Sequence, residues 1–388
     1  MRILRRFILY GVLLLVVFVP WALWETDRNQ VRRWIYPITG NLSAWSTQCD
    51  ATAPQWLRAT IRDLAKKYGS PANQLVFADA SGQISACVNG WEGTPLLSSK
   101  ITYDTPLRLA SLSKMVSFIG LMQHTDTTAH QQWLSTPLVE VLGIGHTLQD
   151  PRIRDIQIRH LLNHSAGFDR LKTTDPMTVR DEKPWCPQHL EKISLIRLDF
   201  APGSRFAYGN LGYCLAAAAY EAQFRHSLWE VLDRHLKIPS YGLDYLERKD
   251  TSVHYNFMHQ EFYGPDYTRH FDWQALRAPM GLVGNARGLA QFLLDNMETV
   301  EVSRSMRDDL IACEESKVES CFDGFLERRR LKNGKQLWRQ NGYLFGMTAA
   351  FIIDEKNNFL VWLGTGESRP IQASRFHIEQ AMLNGIRN

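Results

Sequence analysis

The chain has 388 residues, of which 45% are hydrophobic and 22% charged, with 12 Trp and a formal net charge of +4. This is the composition of a globular protein long enough for two domains, or for one large domain with an insertion. No long basic run follows the first residues and no internal repeat or low-complexity tract is present, which argues against a nucleic-acid partner.

Arg2, Arg5 and Arg6 precede a charge-free run of 18 residues, Phe7 to Trp24, closed by Glu25-Thr-Asp-Arg28. That length reaches the lower limit for spanning a bilayer. The arginines would stay on the cytoplasmic side and leave the body outside, with Trp21, Trp24, Trp34 and Tyr36 in the interfacial belt. A cleaved signal peptide is the alternative, but its small-x-small site is missing at Pro20-Trp-Ala-Leu-Trp-Glu25. The expectation is an uncleaved anchor over 1–28 and a juxtamembrane linker over 29–53, with the body exported under either reading.

Six cysteines, at 49, 87, 186, 214, 313 and 321, agree with an oxidising compartment, and six allow about 15 pairings. No C-x-x-C is present, which disfavours zinc and thioredoxin-like chemistry. Cys313 and Cys321, close together in a charged stretch, are the best candidates for a bridge. Cys214, between Tyr213 and an alanine run, reads as buried in a helix.

Pro54 to Tyr68 carries apolar residues at helical spacing, with Pro54 near the start. Leu75 to Asp79 and Gln83 to Asn89 flank a Ser81-Gly82 turn and read as a hairpin. The next helix contains Ser111 and Lys114, the S-x-x-K spacing that puts both side chains on one helical face. A serine hydroxyl needs a base within reach, and desolvation penalises an ammonium, so a buried lysine here can serve as one. Ser111 would also lie in the first turn, where free N–H groups favour a developing oxyanion.

From Gln131 to Asn285 the pattern is helix and loop: Ile156–Asn163, Leu190–Leu198, Leu211–Ala222 and Leu228–Leu236, then loops over Tyr241–Phe271. A further helix covers Ala286 to Met297. Strands return at Gln336–Asn341, Met347–Ile353 and Phe359–Leu363, before a closing helix over Gln372–Ile386. The expected fold is α+β: an antiparallel sheet flanked by helices and built from both chain ends (54–130 and 286–388), with a mostly helical insertion over 131–285. A cleft between the two parts is where a site belongs.

Ala201 to Tyr213 contains Tyr208-Gly-Asn210, a Y-x-N on a loop before a helix. A phenol near a lysine ammonium loses its proton more readily, which makes Tyr208 a candidate base. His160 and His164 have an i, i+4 spacing but no Glu of H-E-x-x-H and no third ligand, so no metal is expected. His164 reads as a residue orienting the turn after it. No G-x-S-x-G is present, which disfavours an α/β-hydrolase elbow.

Over residues 56–388 the sequence resembles the serine β-lactamase and penicillin-binding protein superfamily, in its class C β-lactamase-like branch. The resemblance is carried by Leu107–Lys114, Arg159–Phe168, Pro202–Tyr213 and Pro279–Leu289. It implies an acylated nucleophile at Ser111, an amine partner at Lys114, a general base and acid at Tyr208, and a polar ligand for the substrate amide at Asn210. The family's Lys/His-x-Gly strand is matched by Gln340-Asn-Gly342, with the N–H groups of Ser111 and Tyr343 as oxyanion hole. Gln340 departs from the pattern, because glutamine offers hydrogen bonds without the positive charge. Arg339 should point to the opposite face of that strand. The implied protein is a serine hydrolase of the bacterial inner membrane, facing the periplasm and acting without cofactor on a small-molecule or peptide amide or ester. A non-catalytic or single-turnover binder of peptidoglycan-like ligands is the alternative that Gln340 keeps open.

Overall fold

The computed structural model describes residues 2–26, 38–123, 127–144, 147–248, 270–306, 321–331, 334–344, 346–365 and 371–386. Cys313, Trp34, Tyr36 and most of the loop expected over Tyr241–Phe271 lie outside them. Among the described residues there are eleven strands: β1 (Gln48–Cys49), β2 (Ala72–Ala78), β3 (Ile84–Gly90), β4 (Leu107–Arg108), β5 (Asp244–Tyr245), β6 (Leu282–Gly284), β7 (Cys321–Asp323), β8 (Leu326–Arg330), β9 (Gln336–Leu344), β10 (Met347–Asp354) and β11 (Phe359–Thr365). Eight of them form one antiparallel sheet in the order β1-β3-β2-β11-β10-β9-β8-β7, which joins the two ends of the chain. A second, three-stranded sheet runs β4-β6-β5.

The central strands read as nearly continuous apolar runs because both faces of the sheet are covered. Side chains alternate between the faces. Leu75, Ile352, Leu360 and Trp362 meet the helices Gln55–Lys66 and Ile371–Gly385. Val76, Phe351, Val361 and Leu363 point the other way, into the larger core shared with the inserted helices. At about 1.5–3 kcal/mol per buried large apolar side chain, this two-sided burial fixes the sheet's register. In that register Gly342 of β9 lies opposite Ala349 of β10.

The insertion is helical, as expected. Its central helix, Leu211–Phe224, buries Tyr213, Leu215, Ala216 and Tyr220. Cys214 is buried in that helix but is bridged to Cys186. A second disulfide joins Cys49 to Cys87, and Cys321 is also disulfide-bonded. Two expectations are corrected here. The stretch Leu190–Leu195 is a 3-10 helix, shorter than the helix read over Leu190–Leu198. The described part of the stretch read as linker is folded: residues 38–45 are helical, and β1 pairs with β3. Ser43 Oγ donates to the Pro71 carbonyl at 2.7 Å, and Gly90 N–H donates to Ser46 Oγ at 2.8 Å. Small polar contacts and a disulfide hold this segment, so it carries no apolar periodicity to read.

The helix Arg2–Thr26 contains an 18-residue window, Leu9–Thr26, of mean hydropathy 1.7. It is long and apolar enough to cross a membrane, and none of that window is buried against the rest of the molecule.

Candidate active site

The turn carrying Ser111 is built by backbone conformation and by packing on both sides. Ala110 adopts a φ of +48°, a left-handed conformation rare for a residue with a Cβ, and strain of this kind concentrates at functional sites. Ser111 is the middle residue of a single 3-10 turn, Ala110–Leu112, that runs into the helix Ser113–Leu121. Side chains three apart eclipse in 3-10 geometry, which carries Lys114 to the Ser111 side. On one flank, Leu109 N–H donates to the Leu282 carbonyl (2.9 Å) and Ser113 Oγ accepts from Leu282 N–H (3.1 Å). Ser117 Oγ donates to the Ala278 carbonyl at 2.8 Å. On the other flank stands β9.

Lys114 is fully buried, with its Nζ donating to Asn210 Oδ1 at 2.8 Å and to the Pro279 carbonyl at 3.1 Å. Those contacts take two of the three ammonium donors. The same Nζ lies 4.9 Å from the centroid of the Tyr208 ring and 5.5 Å from that of Tyr213. A buried ammonium is costly unless its donors are used, so this arrangement is specific rather than incidental.

Tyr208 is walled by rings and cations. His164 stacks on it with centroids 4.5 Å apart, Phe322 of β7 lies 5.7 Å away, and the Arg170 guanidinium sits 5.6 Å over its face. Its Oη is buried and has no hydrogen-bond partner among the described residues. A buried, unpartnered phenol facing cations is what a proton-transfer group requires. Burial first, then the nearby Lys114 and Arg170 charges, hold His164 well below the usual imidazole range, so it is neutral here. Burial pushes the Tyr213 phenol well up, which marks it as the packing tyrosine of the pair. His164 itself has a φ of +59° and closes the short helix Ile158–Leu162. Its ring packs the site as well as the turn it was expected to orient.

Asn210 is 3% exposed, and both ends of its amide are engaged. Its Oδ1 accepts from Lys114, while its Nδ2 and backbone N–H donate to Asp175 at 3.0 and 2.6 Å.

Gln340, Gly342 and Tyr343 fall on β9, beside the nucleophile turn. Gln340 is 2% exposed and its Nε2 donates to the Ser111 carbonyl at 3.0 Å, so its amide braces the turn. A Cβ at Gly342 would lie 2.8 Å from the Leu109 carbonyl oxygen and 3.4 Å from the Ala110 Cβ; only glycine allows this approach. Arg339 points to the far face, as its place in the strand predicts, and pairs there with Glu327 and Glu379. β8 pairs with β9 only over residues 336–339, leaving the 340–344 edge beyond its end. Arg375, from the closing helix, reaches that edge and donates to the Gly342 carbonyl at 3.0 Å. Burial and the Arg339 charge bring its guanidinium down to about 10, while Glu327 and the Tyr208 and Tyr343 phenols act the other way.

Four residues near these groups had no motif to reveal them: Asp175, Arg170, Phe322 and Arg375. Their neighbourhood is set by tertiary folding. The Asp323-Gly324 pair, with Gly324 at φ +61°, was the one readable sign of the β7–β8 hairpin that brings Phe322 in.

Fold and site together define a serine hydrolase-type acyl-transfer scaffold, with the S-x-x-K and Y-x-N segments meeting a strand edge. The sequence model of the Beta-lactamase family matches residues 57–312, and the chain belongs to that family. Among curated proteins it is similar to "Probable fimbrial assembly protein FimD, serogroup H1" of Dichelobacter nodosus, with 29% identity over 353 residues (90% of this chain and 88% of that one). A serogroup D FimD from the same organism is 28% identical over 363 residues, 92% of this chain and 91% of the relative. Among solved structures, D-amino acid amidase from Ochrobactrum anthropi SV3 shares the fold with a TM-score of 0.65 at 18% identity, over 86% of this chain and 98% of that one. The octameric penicillin-binding protein homologue from Pyrococcus abyssi has a TM-score of 0.62 at 17% identity, over 85% and 77% of the two chains.

Proposed function

We propose that this chain is a membrane-anchored, periplasmic serine hydrolase that cleaves an amide or ester through an acyl-enzyme on Ser111. The observation that carries the reading is a fully buried Lys114, three residues after Ser111, whose Nζ lies 4.9 Å from the ring centroid of Tyr208, a phenol with a buried hydroxyl that has no partner among the described residues. Ser111 Oγ attacks the acyl carbon, and its proton passes into the Lys114–Tyr208 pair. The tetrahedral oxyanion is held by the N–H groups of Ser111 and Tyr343, donors of a kind each worth about 2.7–4 kcal/mol. Tyr208 then returns a proton to the leaving amine or alcohol, and water enters by the same route to release the acid. None of these steps calls for a cofactor.

An anchor is supported by the apolar helix over Leu9–Thr26, its uncleaved state by the missing small-x-small site after it, and export by the disulfides, which persist in oxidising compartments. The inner membrane is the proposed location. The substrate is a peptide-like amide or small ester, in keeping with the amidase and penicillin-binding homologues of the same fold. Asn210, Gly342 and Tyr343 frame the acyl group, Gln340 braces the Ser111 turn beside it, and Arg375 provides the positive charge that Gln340 lacks. The FimD relatives favour a second reading, in which this chemistry serves fimbrial assembly, and the uncharged Gln340 favours a non-catalytic or single-turnover sensor. Turnover of a p-nitrophenyl ester by the purified full chain, abolished in Ser111→Ala, tests the hydrolase. A Ser111 adduct that forms once and never turns over would favour the sensor.

A further inference from the structure

Asn210 can turn its amide either way, and only one orientation serves Lys114. An ammonium has donors and no acceptor, whereas a carboxylate has acceptors and no donor. With Lys114 Nζ 2.8 Å from one end of the amide and Asp175 Oδ1 3.0 Å from the other, the oxygen must face Lys114 and the nitrogen must face Asp175. We propose that Asp175 is the positioning residue of this site, fixing the Asn210 amide so that its oxygen receives the buried lysine. The proposal rests on the serine hydrolase reading and adds to it a residue outside every motif that carries the family resemblance.

Asp175 is built for this task. It is 3% exposed and accepts three N–H groups: the Asn210 backbone at 2.6 Å, the Asn210 amide at 3.0 Å and Met177 N–H at 2.9 Å. The Met177 bond caps the short turn Pro176–Thr178 and thereby fixes the carboxylate's own direction. Gly209 leaves room for it, since a Cβ there would stand 3.3 Å from Asp175 Oδ2. The other groups around Lys114 cannot set the amide. Tyr208 and Tyr213 offer it ring faces, the neutral His164 stacks behind Tyr208, Arg170 lies across the Tyr208 ring, and Pro279 gives a fixed carbonyl. In turn, a carboxylate placed beyond Asn210 puts a negative charge one residue away from the buried ammonium.

The test is a four-protein cycle on the full chain: wild type, Asp175→Asn, Asn210→Asp and the double exchange. Asp175→Asn sets one amide against another, so Asn210 flips and offers its nitrogen to Lys114. The double exchange restores the Lys114 contact and both contacts between positions 175 and 210 with the polarity reversed, and leaves only Met177 N–H facing an amide nitrogen, because that N–H and the Asn210 amide share Asp175 Oδ1. The carboxylate now at position 210 accepts from Lys114 and from the amide now at position 175, whose oxygen accepts the backbone N–H. Thermal unfolding should therefore show both single variants lowered and the double variant lowered by clearly less than the sum of the two. Fluorophosphonate labelling of Ser111 should slow about tenfold or more in Asp175→Asn. Its acid limb should move to lower pH by about half a unit or more. Melting temperatures that merely add, or an acid limb unmoved in Asp175→Asn, would overturn the proposal. Wild-type protein unlabelled at Ser111 would instead overturn the hydrolase reading, and the melting cycle would still decide whether Asp175 holds Asn210.

Discussion

Gly342→Ala is the most informative small change, because one methyl group is enough to separate the nucleophile turn from the strand that completes the site. The added Cβ would stand 2.8 Å from the Leu109 carbonyl oxygen, closer than a Cβ contact allows, and 3.0 Å from the Ala349 Cβ, tight enough that the neighbour must give way. Neither neighbour yields easily. Leu109 is fixed by its bond to Leu282, and Ala349 lies within the β9–β10–β11 ladder. β9 must therefore move away from the turn by several tenths of an ångström or more. The Gln340–Ser111 bond, now 3.0 Å, stretches with it. Overpacking of this kind costs about 1–3 kcal/mol of stability. Misplacing the Tyr343 donor costs about 2.7–4 kcal/mol of transition-state binding, or about 10²–10³ in rate. The assay is the second-order rate of Ser111 labelling by a fluorophosphonate, read beside the melting temperature. A rate within about threefold of wild type would refute the close approach of β9 and, with it, the oxyanion hole placed at Tyr343.

Further outcomes follow from the same geometry. Arg375→Gln should slow acylation by a carboxylate-bearing penicillin about tenfold and that by a neutral p-nitrophenyl ester by less than threefold, since bonds to charged groups exceed neutral ones by roughly 1 kcal/mol or more. Gln340→Lys in that background should restore the penicillin rate, and equal loss with both substrates would mean that Arg375 only braces β9. Reducing the Cys49–Cys87 or Cys186–Cys214 bridge, which span 38 and 28 residues, should destabilise the folded domain by about 3–4 kcal/mol each, measured by denaturant unfolding of the Cys→Ser pairs. His164 is held neutral when folded, so the unfolded chain takes up a proton below about pH 6.5 that the native state refuses. Stability should therefore fall as the pH drops from about 7 to 5, and His164→Phe should flatten that slope.

Much of this arrangement was legible from the chain because local pattern and global fold agree there. The S-x-x-K pairing, the strand at Gln340 and the opposite facing of Arg339 follow from spacing and from period-two alternation, whereas the Y-x-N segment stood out through the family resemblance. Cys214 was legible as a buried helical residue but not as Cys186's partner, since the insertion's packing decides that pairing. β7 and β8 were hidden because Arg328-Arg-Arg330 reads as a solvated run. In the fold, Arg329 pairs with the buried Glu379 from the closing helix, and Arg328 lies near Asp323. Asp175 and Arg375 were illegible for the same reason. Each acts through a residue distant in sequence, and no spacing records the meeting of a loop or a terminal helix with a motif.

The central claim is that Ser111 carries the acyl group. Intact-mass and peptide mass spectrometry of the full chain after reaction with a fluorophosphonate tests it most directly. The account predicts one adduct, located on Ser111 and absent in both Ser111→Ala and Lys114→Ala. An adduct at the same stoichiometry in Ser111→Ala, or one mapping to another serine, would contradict it.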